Sequence, residues 1–303
     1  MLKPSPRLNA LVAGCLARAQ KLTGATVHAV AVLSNHFHLL ASFDTVEQMS
    51  SFACHLKTNL SKEAGRLHDW EGPLFAGRYR SVPLSDEESV QLGRLKYLLS
   101  QGAKEGLVMS PRDWPGVHCA NALLGEASIE GVWVDRTRLY AARQRDGQAD
   151  EAEFSQVERL QLSPLPCLAS RPESERRKVL RDMVEEIEAE TLARHRLKGT
   201  APVGVGSLVA RDPHGRALHR LDKSPKPHFH ASRHVYGSMM EAFRSFVVAY
   251  RGAAERLRAG DRGVSFPENC FPPGLPFVEP RPVEASPLEC RARAVSDVSR
   301  RGS

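Results

Sequence analysis

Residues 26–43 read TVHAVAVLSNHFHLLASF. Two β-like segments, VHAVAVL and HFHLLASF, flank Ser34–Asn35, which suits a tight turn or a bulge. Side chains alternate across a strand, so His36 and His38 point to one face and Phe37 points to the other. Two imidazoles on one strand face can bind a single divalent metal ion. The alternative is a pair of half-exposed histidines on an edge strand.

Helical patterns surround this stretch. Helices are predicted over 5–20, 46–67 and 85–102, and a short extended, Arg-rich segment is predicted between Gly72 and Pro83. Ser85 stands three residues before Glu88, the spacing of a capping box, which places a helix start there. The order helix, strand, strand, helix, strand, helix predicts a compact α+β domain over residues 1–118.

The chain changes character after residue 118. Residues 119–170 are predicted to be loop-rich, and 173–198 form a highly charged helix with a narrow apolar stripe. Another helix is predicted over 235–258, followed by a Pro-rich tail over 266–287. Residues 119–303 are therefore predicted to be a mainly helical C-terminal extension of unknown role.

Composition limits the classes of protein that this chain can belong to. Its 303 residues include 42 Lys and Arg against 35 Asp and Glu, a net charge of +7 that weakly favours a polyanionic partner. No run approaches the roughly 20 apolar residues of a membrane span, so we expect no membrane partner and a cytoplasmic location. The six cysteines are widely scattered and lack zinc-finger spacing, which favours free thiols.

A candidate nucleophile lies in the helix over 85–102. At about 100° per residue, Tyr97 and Gln101 share the face opposite the leucine stripe, one helical turn apart. A tyrosine hydroxyl beside an amide oxygen suits a nucleophile next to a metal-bound phosphate. The alternative is a solvated Tyr and Gln on a helix surface.

Four stretches occur in an order that resembles one family. NHFHLL (35–40), PLFAGRYRSVPLSDEE (73–88), KYLLSQGAKEGLV (96–108) and SPRDWPG (110–116) resemble the successive motifs of HUH-type transposases with a single catalytic tyrosine. The likeness is strongest to the REP-associated tyrosine transposases and covers roughly residues 5–118. The ordered succession of four motifs is far more specific than any one of them.

The resemblance implies a ferredoxin-like antiparallel sheet with helices on one face, and an enzyme of DNA transposition. His36, His38 and Gln101 would hold Mg²⁺ or Mn²⁺, and Tyr97 would attack the scissile phosphate of single-stranded DNA. The product would be a 5′-phosphotyrosine and a free 3′-hydroxyl, which conserves the bond energy for rejoining. The implied partner is hairpin-containing single-stranded DNA, bound by a monomer or a homodimer.

Basic residues gain a role in this interpretation. Arg78 and Arg80 alternate along one segment and so share a face, which could contact phosphates or a folded hairpin. An ordinary solvated strand face is the alternative. Arg94 and Lys104 are further candidates for DNA contact. Tyr79 is a rival nucleophile, but it has no amide partner at helical spacing.

This chain departs from the family pattern in two places. Relatives commonly carry Asn-Pro where this chain has Gln101–Gly102, a change that keeps the amide and should affect only how the helix ends. The family domain also begins with a strand before its first helix, whereas Met1 falls almost directly at the helix. The explanations are a start further upstream or a degenerate copy. A sheet without that strand should expose unpaired backbone groups along one edge.

Two other functions compete with the transposase. The first is a non-catalytic DNA- or RNA-binding protein descended from such an enzyme. The second, a small metallohydrolase, is disfavoured because no carboxylate lies at ligand spacing beside His36 and His38. A second HFH sequence, His228–His230, follows a Pro-rich stretch and is interpreted as a polar loop.

Overall fold

A computed structural model describes residues 2–75, 77–215 and 227–274. These residues form eight α-helices and two antiparallel sheets of two strands each, so the chain is mixed α/β. The helices are α1 (Pro6–Thr23), α2 (Val46–His68), α3 (Glu88–Leu99), α4 (Ala120–Leu123), α5 (Arg136–Arg145), α6 (Glu173–Lys198), α7 (Val205–Ala210) and α8 (Arg233–Arg258). The strands are β1 (Thr26–Val32), β2 (Phe37–Ser42), β3 (Ile129–Val134) and β4 (Ser155–Leu160). Within the described ranges, none of the helices is long and apolar enough to cross a membrane.

The first sheet pairs β1 with β2, as the sequence predicts. Every residue of β1 after Thr26 is buried, and irregular backbone segments pair with its second edge. Val32 N–H donates to the Val117 carbonyl at 2.8 Å, and Cys119 N–H donates to the Val30 carbonyl at 2.9 Å. Ser163 N–H donates to the Val27 carbonyl at 2.8 Å. The expectation of unpaired groups along this edge is therefore wrong at these positions.

The second sheet, β3 with β4, lies in a region that the sequence analysis predicts to be loop-rich. It packs on α1, where glycines allow backbone to approach backbone. A Cβ at Gly14 would overlap the Val132 carbonyl, and a Cβ at Gly131 would overlap the Ala10 carbonyl. Because this contact depends on residues more than a hundred positions apart, local periodicity does not reveal it.

The helix that carries Tyr97 is shorter than predicted. It begins at Glu88 and ends at Leu99, and the Ser85 hydroxyl donates to the Glu87 carboxylate at 2.7 Å instead of capping the helix. Gly102 then turns the chain at φ 87°, where a Cβ would press on the Trp114 ring. Proline, with φ near −65°, could not take this position.

The predicted extended segment between Gly72 and Pro83 does not become a strand. The described residues over 77–82 have no regular structure, and the first paired residue after them is Leu84, which bridges to His230. Pro73 and Pro83 lack a backbone N–H and so cannot donate to a sheet ladder.

One continuous hydrophobic core runs through the first of two compact units, Met1–Arg244 and Ser245–Ser303. It joins Leu56 of α2 and Leu99 of α3 to Leu180 and Ile187 of α6, on both sides of residue 118. The domain boundary at residue 118 stays a prediction, and α6 spans the predicted range.

The second unit is described as far as residue 274. Its aromatic residues cluster: the ring centroids of Tyr250 and Phe266 lie 5.5 Å apart, and the Tyr250 hydroxyl donates to the Phe271 carbonyl at 3.2 Å. Residues 275–287 of the predicted Pro-rich tail, and Cys290, lie outside the described residues. The other five cysteines are free thiols.

Candidate active site

His36 and His38 lie on either side of the first residue of β2, Phe37. Leu33 N–H donates to the His36 carbonyl at 2.8 Å and closes the turn, while His38 pairs with Ala31 of β1. The Nε2 atoms of the two histidines are 3.1 Å apart, with the ring planes at 85°. The alternation expected from the sequence thus brings both rings to one point.

Both imidazoles favour the neutral form. Burial, followed by the nearby His36 and Lys104, lowers the pKa of His38 to about 4. Burial also lowers the pKa of His36. The Asn35 amide oxygen lies 2.6 Å from His36 Nδ1, and because that oxygen only accepts, Nδ1 carries the proton. In the neutral ring, His36 Nε2 therefore presents a lone pair towards His38.

Tyr97 and Gln101 complete the cluster. Tyr97 is 44% exposed in the last turn of α3, and its ring lies edge-on to that of His38 with centroids 5.7 Å apart. Gln101 is only 1% exposed, and its Nε2 donates to the Tyr97 carbonyl at 2.8 Å. A hydrogen bond that the Gln101 side chain accepts from the imidazole raises the pKa of His38, against the effect of burial. The structure brings together all four residues that the sequence singles out, but it buries the amide that was expected on the surface.

The cluster fits a divalent ion in its donor chemistry. Two ligands about 2.1 Å from an octahedral ion and at right angles to each other are about 3.0 Å apart, close to the Nε2 separation of His36 and His38. The Nδ1–H of His36 donates to the Asn35 amide oxygen, as the second ring nitrogen of a metal-bound histidine commonly does to an oxygen. No group of three or more His, Cys, Asp and Glu side chains suited to a metal occurs among the residues placed by the structure. The candidate site has only two such side chains, His36 and His38, and its third proposed ligand is an amide.

Cations lie on the Tyr97 ring. Lys104 Nζ is 3.4 Å from the ring centroid and the Arg94 guanidinium carbon is 5.2 Å from it. The Lys104 charge also lowers the pKa of both histidines, so its electrostatic effect reaches His36 and His38 as well as Tyr97. A phosphate next to Tyr97 would meet this positive charge.

Sequence reasoning missed Glu105 and Asn35. One Glu105 carboxylate oxygen accepts from Gly102 N–H at 2.6 Å, the other lies 3.6 Å from Lys104 Nζ, and its charge raises the pKa of His36. Asn35 directly precedes His36 in the sequence, and this position could have indicated its role as a hydrogen-bond partner of that histidine. Glu105 gave no periodic signal, because it lies in an irregular turn after α3.

Arg78, Arg80 and Tyr79 are not joined to the cluster. All three are exposed, and neither arginine makes a hydrogen bond or an ion pair with another residue that the structure describes. Their segment is anchored nearby by Phe75, whose ring lies edge-on to Phe37, on the strand face opposite the histidines. Their roles in DNA contact and catalysis stay predictions, and the expected shared strand face is absent because no strand forms.

The cluster of His36, His38, Tyr97 and Gln101 is thus a compact site with a half-exposed tyrosine beside two neutral imidazoles. Comparisons of this chain with protein-family models, with curated proteins and with solved structures find no match.

Proposed function

We propose that this protein is a metal-dependent transposase that cleaves and rejoins single-stranded DNA through a 5′-phosphotyrosine. One observation carries the proposal. The Nε2 atoms of His36 and His38 converge to 3.1 Å, and a half-exposed tyrosine ring lies 5.7 Å from the second imidazole. This contact favours a nucleophile beside a metal site over the alternative, a solvated tyrosine on a helix surface.

Each residue has a defined task in the proposed reaction. His36, His38 and the Gln101 amide oxygen would hold Mg²⁺ or Mn²⁺, which supplies polarisation of the scissile phosphate. The Tyr97 oxygen attacks phosphorus, and the bond from phosphorus to the 3′ oxygen breaks. The Tyr97 proton passes to water, and the leaving 3′ oxygen takes a proton from water. Rejoining reverses these steps from a 3′-hydroxyl, so it needs no ATP.

Other features support a nucleic-acid substrate. The net charge is +7, and Lys104 and Arg94 add local positive charge at Tyr97. The proposal includes a hairpin-bearing single strand, a monomer or homodimer, and action in the cytoplasm. It also includes a ferredoxin-like arrangement. Two pairings support this arrangement: β1 pairs with β2 on one edge and with residues 117–119 on the other.

The decisive experiment detects the covalent intermediate. The protein is incubated with Mn²⁺ and a library of labelled, hairpin-bearing single-stranded oligonucleotides, then separated by denaturing electrophoresis. We expect a labelled protein band in the wild type that is lost in Tyr97→Phe, because only the hydroxyl that forms the ester is removed.

Tyr140→Phe is the matched control, since Tyr140 is 67% exposed and the same hydroxyl is removed. A band that survives Tyr97→Phe transfers the role to another tyrosine, beginning with Tyr79. Hairpin binding without any covalent band in the wild type would establish the alternative, a non-catalytic DNA- or RNA-binding protein.

A further inference from the structure

A pocket of about 340 Å³ lies between α3 and α6, and Tyr97 forms part of its wall. Its volume is within the range of pockets that bind small ligands, roughly 300–1,000 Å³. Gly93, Arg94 and Tyr97 of α3 line one side of it, and Ile187, Glu190 and Arg194 of α6 line the other. The pocket therefore opens beside the proposed nucleophile, and α6 supplies its opposite wall.

The lining carries an excess of positive charge. Four of its side chains are cationic and one is a carboxylate, a net formal charge of +3. Lys96 is ion-paired with both Glu186 and Glu190 at 2.7 Å, so its charge is compensated. The charges that remain belong to Arg94 and Arg194, and to Lys104, whose ammonium is partly compensated by the Glu105 carboxylate at 3.6 Å. An anion is the ligand that this lining selects.

Arg194 links this charge to the turn after α3. Its Nη1 donates to the carbonyls of Ala103 at 3.3 Å and Lys104 at 3.1 Å. A guanidinium has five N–H donors, so several are left for a ligand while the side chain is held in place. Ile187 also borders the pocket, but its side chain is only 1% exposed and belongs to the core.

We propose that this pocket binds one nucleotide of the single strand next to the scissile phosphate, an inference that rests on the proposed function. The phosphate of that nucleotide lies against Arg94, Lys104 and Arg194, because guanidinium and ammonium groups form charge-assisted hydrogen bonds with phosphate oxygens. The base occupies the remaining volume between α3 and α6. Helix α6 thus helps to hold that nucleotide beside Tyr97.

Gly93 offers a direct test. A Cβ at this position meets no atom within 4 Å, so Gly93→Phe adds a bulky side chain at the pocket wall without a clash at its Cβ. Phenylalanine also has a better helix propensity than glycine, so the helix should not be weakened. Gly237→Phe is the matched control, because Gly237 lies in α8, does not line the pocket and is equally open.

The measurement is a titration of the full-length protein with each deoxynucleoside 5′-monophosphate, followed by NMR. We expect the wild type and Gly237→Phe to bind alike, Gly93→Phe to lose at least about tenfold in affinity, and Arg94→Gln to lose several-fold. Equal affinity in Gly93→Phe and the wild type, with unchanged thermal unfolding, overturns the proposal. So does a wild type that binds no monophosphate at millimolar concentration.

The covalent assay separates this inference from the proposed function. If the wild type forms the phosphotyrosine band and monophosphate binding ignores Gly93→Phe, the transposase stands and the pocket assignment fails. If the monophosphate binds in a Gly93-dependent way but no band forms, the nucleotide pocket stands and the catalytic function fails.

Discussion

The ammonium group of Lys104 lies 3.4 Å from the centre of the Tyr97 ring. A charge held there contacts any phosphate that approaches the tyrosine and releases a counterion when it does so. We predict that Lys104→Gln weakens binding of single-stranded DNA and lowers the slope of log K against log salt by about 0.7. Fluorescence anisotropy between low and moderate salt measures this slope. Lys178→Gln, on the exposed surface of α6, should leave it unchanged, and equal slopes for both variants would contradict a phosphate contact by Lys104.

Metal binding should depend on the histidine pair even without DNA. We predict that His38→Ala weakens Mn²⁺ binding at least about tenfold, because it removes one of two converging nitrogen donors. Equilibrium titration with Mn²⁺, read by paramagnetic relaxation of water, measures the change. His234→Ala replaces an exposed histidine in α8 and serves as the control. Equal Mn²⁺ affinity in His38→Ala and the wild type would remove the metal site.

The close approach of α1 and β3 should tolerate no side chain at Gly14. A Cβ there would overlap the Val132 carbonyl, and overpacking of this kind costs about 1–3 kcal/mol. We therefore predict that Gly14→Ala lowers the free energy of unfolding in urea by that amount. Gly237→Ala, in open space, should raise it by up to about 1 kcal/mol. If Gly14→Ala leaves the free energy of unfolding unchanged, α1 and β3 can move apart without an energetic cost.

Stability should fall in mild acid because of His118. Burial lowers its pKa to about 4, while the carbonyls of Leu99 and Leu98 act in the opposite direction. Its Nδ1 accepts from Ala120 N–H at 3.2 Å, a bond that requires an unprotonated nitrogen. The unfolded chain takes up this proton near pH 6.5, before the folded chain does, so the contribution of His118 to stability is complete above pH 6.5. It is lost as the pH falls to about 4, a loss on the order of 3 kcal/mol.

Urea unfolding at several pH values tests this expectation. His118→Gln should be less stable at neutral pH and should show a shallower decline between pH 6.5 and 4. Parallel curves for the variant and the wild type would assign the acid sensitivity to other groups, among them His36 and His38, whose pKa values are also lowered.

Periodicity alone was sufficient for the parts of the site that lie within regular elements. The two-residue repeat of a strand put His36 and His38 on one face, and the helical repeat put Tyr97 away from the leucine core. The structure has both arrangements. The predicted range of α6, Glu173–Lys198, is also the observed one, because its narrow apolar stripe and its terminal Gly199 are local signals.

Gln101 shows where local pattern was insufficient. The sequence placed it on an exposed helical face, but the helix ends at Leu99 and the amide turns inward to the Tyr97 carbonyl. The end of the helix depends on Gly102, which has a positive φ. Gly102 packs against the ring of Trp114, twelve residues later in the chain. The prediction for the Arg-rich segment was wrong for a related reason: alternation suggested a strand, but the described residues over 77–82 form no strand pairing.

The sequence by itself predicted which residues form the candidate site and, for His36, His38 and Tyr97, which face each one occupies, because those properties follow from spacing along a strand or a helix. Only the tertiary structure decided that β2 and the end of α3 meet, that α6 closes a charged pocket beside Tyr97, and that a second sheet packs on α1. These contacts join residues far apart in the chain. They are set by packing of the shared core and by glycines that allow close approach, neither of which has a local period.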